Sequence, residues 1–380
     1  MKILHTADWH LGRLLHEHSL IEDQRYVLDT LVSLLEADPH DVLIIAGDVY
    51  DRSIPSPESV ELFGSFLGKL KRSCPGLEIC ILSGNHDSAA RLGFGRELFR
   101  ELSIHIASGP GDAEKPVLTG KPGTERCAVF LLPFIGGAEE IRRVAKTVEA
   151  AREEAVRDGA LWTVLGAHLF VRGGAGSDSE RVFLGNAEQV EAGLFSGFDY
   201  AALGHLHTFQ KAGKNAWYSG SPLCYSFGES NQDKVFISAE LSHNQNGKSI
   251  TLNPIPVKPL HPLKSLSGTF SEFFEGKRSD ADPGAYLELT LNGRELVENP
   301  LPLLRNRYPL IMSVRQEEAF AARYAEYAET IPRYVEGRSL AGDFDAFLLE
   351  VYGSADPGKS ALFSGLLKEI EDQGEEHEAP

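Results

Sequence analysis

The sequence predicts an α/β protein over its first two thirds, and three observations predict it. Apolar runs of strand length alternate with stretches of helical period. The runs are apolar throughout rather than at every second residue, as in strands covered on both faces. Asp, His and Asn collect just past the ends of five of these runs, where open α/β sheets present ligand sites at the carboxyl ends of their strands.

The elements follow in order. MKIL is a short strand. Leu20, Val27, Leu31, Leu34 and Leu35 then mark one face of a helix. DVLIIAGDVYD (41–51) is a buried strand running into a loop. SPESVELFGSFLGKL (56–70) reads as a helix with Ser56 as N-cap and Pro57 at its first position. LEICILSGNHD (77–87) repeats strand then loop, and AVFLLPFI (128–135) is another strand. The charged stretch 139–159 is a helix ended by Gly159. LWTVLGAHLF (161–170) and YAALGHLH (200–207) are again strands that end in polar loops. WYSGSP, KVFISAEL and SITLNPIPV add further strands, and residues 109–126 read as a surface loop or hairpin.

This region, 1–258, is the predicted main domain. The proline-rich run PIPVKPLHPL (254–263) reads as a hinge. After it a small α+β unit is expected, bounded at 264–335, with two strands (AYLELTLNG and YPLIMSVRQ) and short helices in GTFSEFFEG and ELVENPLPLLRNR. The remainder reads as helical: EEAFAARYAEYAETI, then two helices over 340–372, then an acidic tail at 373–380.

With 380 residues, 42% apolar and 24% charged, the composition is that of a soluble globular chain, with no apolar run of membrane-spanning length and no signal-peptide-like start. Cys74, Cys80, Cys127 and Cys224 fit neither a zinc knuckle nor a disulfide framework and read as small apolar residues in a reducing cytoplasm. The net charge of −18 argues against holding nucleic acid by the chain's own field. It leaves a nuclease open, because bound cations or a basic partner reverse the local sign.

The chemistry collects at the strand ends. Asp8 and His10 lie in ADWH, Asp48 and Asp51 in GDVYD, Asn85, His86 and Asp87 in GNHD, His168 in GAHLF, and His205 and His207 in GHLH. Singly, each is unremarkable as a satisfied polar residue or turn. Five such clusters in one structural context are not what a core looks like. Carboxylate, amide oxygen and imidazole without thiolate suit Mn²⁺ or another borderline divalent ion. Seven ligands exceed what one open catalytic ion takes and suffice for two, which clamp a phosphoryl group about 3.5–4 Å apart and generate a hydroxide. One carboxylate must bridge them. In extended backbone, Asp8 with His10 and His205 with His207 would each place two side chains on one face, about 6.5–7 Å apart.

DxH, GDxxD, GNHD, a lone His after a strand, and GHxH, in that order, resemble the calcineurin-like metallophosphoesterase superfamily. DWHLG, GDVYDRS and SGNHDS are most similar to the nuclease subunits of bacterial SbcCD complexes, relatives of the Mre-eleven nucleases. The resemblance implies a four-layer β-sandwich flanked by helices, a small α+β capping domain that binds DNA, and C-terminal helices. It implies Asp8, His10 and His207 on one Mn²⁺, Asn85, His168 and His205 on a second, and Asp48 bridging. His86 is implied to act on the leaving oxygen rather than on metal, with Asp87 orienting its ring. The archaeal and eukaryotic relatives carry His where this chain has Asp51, so Asp51 is either a supporting residue or a loop cap.

The implied activity is a Mn²⁺-dependent DNA exonuclease (3′ to 5′) and hairpin endonuclease. The implied partners are DNA, a second copy of the chain, and an SbcC-like ABC-type ATPase gripped at its coiled coil by Phe344, Phe347, Leu348, Val351, Leu362, Leu366, Leu367 and Ile370. The implied setting is the nucleoid in the cytoplasm. GKS at 358–360 lacks the upstream glycine of a phosphate-binding loop, so ATP dependence must come from the partner. Arg13, Arg52, Arg91, Arg172 and Lys211 flank the motifs as possible phosphate contacts. Two rivals stand beside this reading: a metallophosphoesterase acting on nucleotides or phosphoproteins, and a non-catalytic scaffold for the ATPase.

Overall fold

A computed structural model describes residues 1–120, 126–177, 189–245, 247–293, 296–316, 339–352 and 356–375. In chain order the main strands are β1 (Lys2–Thr6), β2 (Val42–Ala46), β3 (Glu78–Leu82), β4 (Ile104–Ala107), β5 (Val117–Thr119), β6 (Cys127–Leu132), β7 (Trp162–His168) and β8 (Tyr200–Gly204). They continue with β9 (Gln210–Lys211), β10 (Ala216–Tyr218), β11 (Val235–Asn244), β12 (Gly247–Pro256), β13 (Leu263–Gly268), β14 (Tyr286–Leu291) and β15 (Ile311–Arg315). The long helices are α1 (Ile21–Ala37), α2 (Pro57–Ser73), α3 (Ala138–Arg157), α4 (Leu340–Tyr352) and α5 (Pro357–Glu375).

Two six-stranded sheets, in the orders β12-β11-β1-β2-β3-β4 and β9-β10-β8-β7-β6-β5, face each other. The all-apolar strands make this possible, because alternate residues leave opposite faces of a strand. Ile3, Ile44 and Leu82 point between the sheets, against Val129, Trp162, Val164 and Tyr200 of the second sheet. Leu4, Ile45 and Ile81 point outward, onto Val27 and Leu31 of α1 and Leu62 and Phe66 of α2. On the far side Phe130, Leu165 and Leu203 meet Ile141, Val144 and Val148 of α3. The result is helix, sheet, sheet, helix: the expected four-layer α/β sandwich. Ser56 caps α2 through its hydroxyl, which accepts the Ser59 amide at 3.2 Å, and Pro57 follows as read from the sequence.

β1, β2 and β3 run parallel, as do β7 and β8. Their carboxyl ends, and the loops that follow them, therefore lie along one edge of each sheet.

The strand expected over SITLNPIPV is β12, which runs to Pro256 and pairs antiparallel with β11, so the proline-rich run 254–263 begins on it. Proline is tolerated there because β12 is an edge strand, where a missing amide donor costs no ladder bond on the open side. β4 and β13 were not expected. LSIHIA is short, and LKSLSG alternates weakly, so neither carries a clear period; with β13 the later sheet has three strands, in the order β13-β14-β15. The short helix Phe270–Phe274 is present, with Thr269 and Glu272 forming a reciprocal capping box.

By contacts the chain divides into two compact units: Met1–Thr290 with Asn299–Arg315, and Leu291–Glu298 with Gln316–Pro380. In the second unit α4 and α5 pack together, with Phe344 stacked on Phe363 at 4.1 Å between ring centres. Phe347, Leu349, Leu362 and Leu366 remain about half exposed or more. The helix expected over 317–331 lies outside the described residues, as do residues 376–380 of the acidic tail and the side chains of Val351 and Ile370.

Candidate metal centre

Each loop at the sandwich edge is held by its neighbours. The Asp8 amide donates to the Gly47 carbonyl (3.0 Å), and the His10 amide donates to the Asp48 carbonyl (2.9 Å). Asp8, His10, Asp48 and His205 all adopt positive φ, at 55°, 45°, 49° and 107°. The extended spacing expected for Asp8 with His10 and for His205 with His207 is therefore not how these pairs converge. The chain turns sharply through left-handed residues, and the inter-loop hydrogen bonds hold that strained backbone in place. Gly84 is required by close approach: a Cβ there would sit 2.0 Å from Asp48 Oδ1.

All seven predicted ligands come together, and Asp48 is central. Its Oδ2 lies 3.6 Å from His10 Nε2 and 3.5 Å from His168 Nε2, while Oδ1 accepts the His86 amide at 2.9 Å. His10 Nε2 faces His207 Nε2 at 3.1 Å. Asn85 Oδ1 stands 2.9 Å from His168 Nε2 and 3.0 Å from His205 Nδ1. Asp8 accepts the His205 amide on both oxygens (2.9 and 3.1 Å) and lies 3.8 Å from His168 Nδ1. Two groupings of ligand atoms share Asp48: His10, Asp48 and His86, and Asp8, Asp48 and His168.

Of the ring nitrogens that face away from the cluster, that of His168 is hydrogen-bonded, whereas that of His10 is buried without a hydrogen bond among the described residues. His168 Nδ1 bonds the Ala46 carbonyl at 2.9 Å, which places its proton there and leaves the Nε2 lone pair facing Asn85 Oδ1. His10 Nδ1 is buried and 3.5 Å from Asp51 Oδ1, which is itself paired with Arg13 at 2.8 Å. Burial pushes His10, His168 and His207 below the ordinary histidine range, and His205 to about 3. With His168 held as its Nδ1–H tautomer, a neutral imidazole lone pair and the Asn85 amide oxygen face each other at contact distance. A divalent cation resolves that arrangement, and the nitrogen–oxygen donor set fits one.

Asp87 does not touch the His86 ring. Its Oδ2 accepts the amides of Val49 (3.1 Å) and Gly84 (2.9 Å), and its Oδ1 accepts Tyr50 (2.9 Å). It braces the loops after β2 and β3 against each other. The His86 ring is instead held by the main chain of Asp51, whose carbonyl accepts from Nδ1 at 2.8 Å. The expectation failed because a carboxylate next to a histidine in sequence satisfied three nearer donors first. Asp51 thereby has a place: its carboxylate meets Arg13 and His10, and its carbonyl meets His86.

Of the flanking cations, Arg13 is committed to Asp51, Arg91 donates to the Ser53 carbonyl (2.8 Å), and Arg172 pairs with Glu191 (2.7 Å). Arg52 is largely exposed, and Lys211 lies over the Trp217 ring. Sequence reasoning missed Glu229 and Lys234, a buried ion pair behind His207 (2.8 Å). The run FGESNQDK carries no periodic or motif signal that would have found them.

Residues 1–209 match the family profile of the calcineurin-like phosphoesterases. Over 332 residues the chain is 33% identical to a curated protein from Staphylococcus saprophyticus, named as the D subunit of the nuclease SbcCD, covering 83% of this chain and 85% of that one. Among solved structures, GAP50, the anchor in the inner membrane complex of Plasmodium, aligns at a TM-score of 0.41 and 12% identity over 68% of this chain and 89% of that one, too loosely to carry an argument. No helix among the described residues is long and apolar enough to cross a membrane. Motif order, four-layer fold and sequence likeness agree: the chain belongs to the calcineurin-like phosphoesterase family, in the lineage of the SbcD nucleases.

Proposed function

We propose that the chain is a Mn²⁺-dependent DNA nuclease. It hydrolyses phosphodiesters from duplex ends in the 3′ to 5′ direction and opens hairpins, in DNA end processing, replication and recombination. The observation that carries this reading is the convergence of seven nitrogen and oxygen ligands, from five strand ends, around Asp48. Asp8, His10 and His207 would hold one ion and Asn85, His168 and His205 the other, with Asp48 shared. Bound ions would supply charge stabilisation on phosphoryl oxygens and an acidified water.

The chain's own residues do the rest. Asp51 fixes the His86 tautomer through its carbonyl, so a proton gained at Nε2 can pass to the leaving 3′-oxygen. Asp87 keeps the loops of Asp48 and Asn85 in mutual register. The His10–Asp48–His86 grouping favours one competing assignment, with His86 as a ligand.

Residues 264–335 serve as a capping domain that binds DNA. Of the residues expected to grip the partner, Leu348 is buried, but Phe347, Leu362 and Leu366 are exposed and, with Leu349, are suited to the coiled-coil base of an SbcC-like ABC-type ATPase. The working form is a homodimer within a heterotetramer, acting at the nucleoid. The test is cleavage of a labelled DNA hairpin and of bis-p-nitrophenyl phosphate, with Mn²⁺, with and without the ATPase and ATP. Cleavage of both supports the proposal. Hydrolysis of the small ester or of nucleotides, but never of DNA even with the partner, overturns it in favour of a nucleotide or phosphoprotein phosphoesterase.

A further inference from the structure

The segment Pro222–Lys234 forms a wall behind the centre. Tyr225 sets its ring 5.5 Å from that of His10 and 5.7 Å from that of His207, and its hydroxyl donates to the Trp9 carbonyl. Glu229, next in the wall, is 0% exposed. Its Oε1 stands 3.5 Å from His207 Nδ1 and accepts the hydroxyls of Ser177 (3.1 Å) and Ser226 (3.3 Å). Its Oε2 accepts Lys234 Nζ (2.8 Å) and the Tyr225 amide (3.3 Å). Lys234 also donates to the His207 carbonyl (3.0 Å) and Ser221 Oγ (3.0 Å).

A buried ion pair is a poor way to stabilise a fold, because desolvating both charges offsets their attraction. Its location is what informs. The pair takes hold of His207 twice, at the ring through Glu229 and at the main chain through Lys234. A carboxylate on Nδ1 keeps the proton there, so Nε2 presents its lone pair toward His10 Nε2, 3.1 Å away. On the other side of the centre, His168 Nδ1 bonds the neutral Ala46 carbonyl at 2.9 Å, with Asp8 Oδ1 farther off at 3.8 Å.

We infer that Glu229, held by Lys234, is a positioning residue: it fixes the tautomer and orientation of His207 and so sets the affinity of the half of the centre that His207 and His10 share. This rests on the two-ion reading above.

The test uses the full chain, stripped of metal. Glu229→Gln alone would strand a buried ammonium, so the variant is Glu229→Gln with Lys234→Met, which removes both charges at near-constant volume. Mn²⁺ is titrated in by electron paramagnetic resonance, and the ¹⁵N shifts of the His207 ring are read in the metal-free protein. The expected result is two ions in the wild type, one of them weakened about 10–100-fold in the variant and the other unchanged. His207 passes from a single Nδ1–H tautomer to a mixture. Lower melting temperature with both affinities and the tautomer intact would reduce Glu229 to a structural role and overturn the inference, as would equal weakening of both ions. Should the variant not fold, the wild-type tautomer decides: Nε2–H in the metal-free protein overturns it. A wild type that takes up fewer than two ions defeats the two-ion reading instead, and the tautomer still judges Glu229.

Discussion

Replacing Gly84 by alanine adds one methyl group at the point where two loops touch. The new Cβ would lie 2.0 Å from Asp48 Oδ1 and 2.4 Å from the Asp48 amide nitrogen. Cβ atoms keep at least 3.0 Å, so the loop after β3 or the Asp48 carboxylate must give way by about 1 Å. The carboxylate can rotate, but the amide is main chain and cannot. The His86 amide bond to Asp48 Oδ1, now 2.9 Å, is lost in the process. Overpacking of this kind costs about 1–3 kcal/mol, and the lost hydrogen bond about 1 kcal/mol more. A displacement of about 1 Å in a catalytic group costs about 10²-fold in rate. Gly64→Ala is the control: it lies within α2 with open space around its Cβ position, so it should stabilise by up to about 1 kcal/mol and leave activity alone. The assays are urea denaturation of the metal-free protein and Mn²⁺-dependent hydrolysis of bis-p-nitrophenyl phosphate. Wild-type rate and stability in Gly84→Ala would refute the claim that Asp48 is positioned by this loop.

Other outcomes follow from the same structure. Asp87→Asn turns an amide NH₂ toward at least one main-chain N–H, so it should destabilise by about 1–3 kcal/mol while the pH–rate midpoints stay put; unchanged stability with a shifted profile would return Asp87 to the role of orienting His86. His5, between the sheets, is pushed by burial to about 3 against the raising effect of its bond to the Leu203 carbonyl. A lowered histidine pKa contributes stability that is complete above the unfolded value near 6.5 and lost as pH falls toward 3. Between pH 7 and 5 the metal-free wild type should therefore lose about 2 kcal/mol that His5→Gln does not, and equal losses by urea denaturation would contradict this. Phe347→Asp should abolish co-purification of the ATPase without changing hydrolysis of the small ester; retained co-purification would remove α4 from the partner surface.

The strand ends were legible because each strand is apolar on both faces and each loop is polar at once, a contrast that a single sequence displays. Parallel pairing then brings Asp8, Asp48 and Asn85 to one edge whatever the details of their turns. The turns were not legible. Nothing in ADWH announces left-handed residues at Asp8 and His10, because the strain is sustained by bonds to Gly47 and Asp48, forty residues away in the chain. The same holds for what supports the clustered side chains. Asp87 was assigned to His86 by family resemblance, yet its oxygens answer to the nearest amides. Glu229 lies in a run without pattern, and only the fold brings it to His207. Polar clusters that follow strands can be read from sequence, while the groups that hold them in place depend on tertiary contacts.

The division of labour between Asn85 and His86 is tested most directly by counting Mn²⁺ bound to His86→Gln and following single-turnover cleavage of a labelled DNA hairpin by the same preparation. Two ions per chain, as in the wild type, with cleavage reduced by about 10²-fold or more is the predicted result. Loss of one ion would make His86 a ligand, beside His10 and Asp48, and wild-type cleavage with both ions bound would deny it any part in the chemistry.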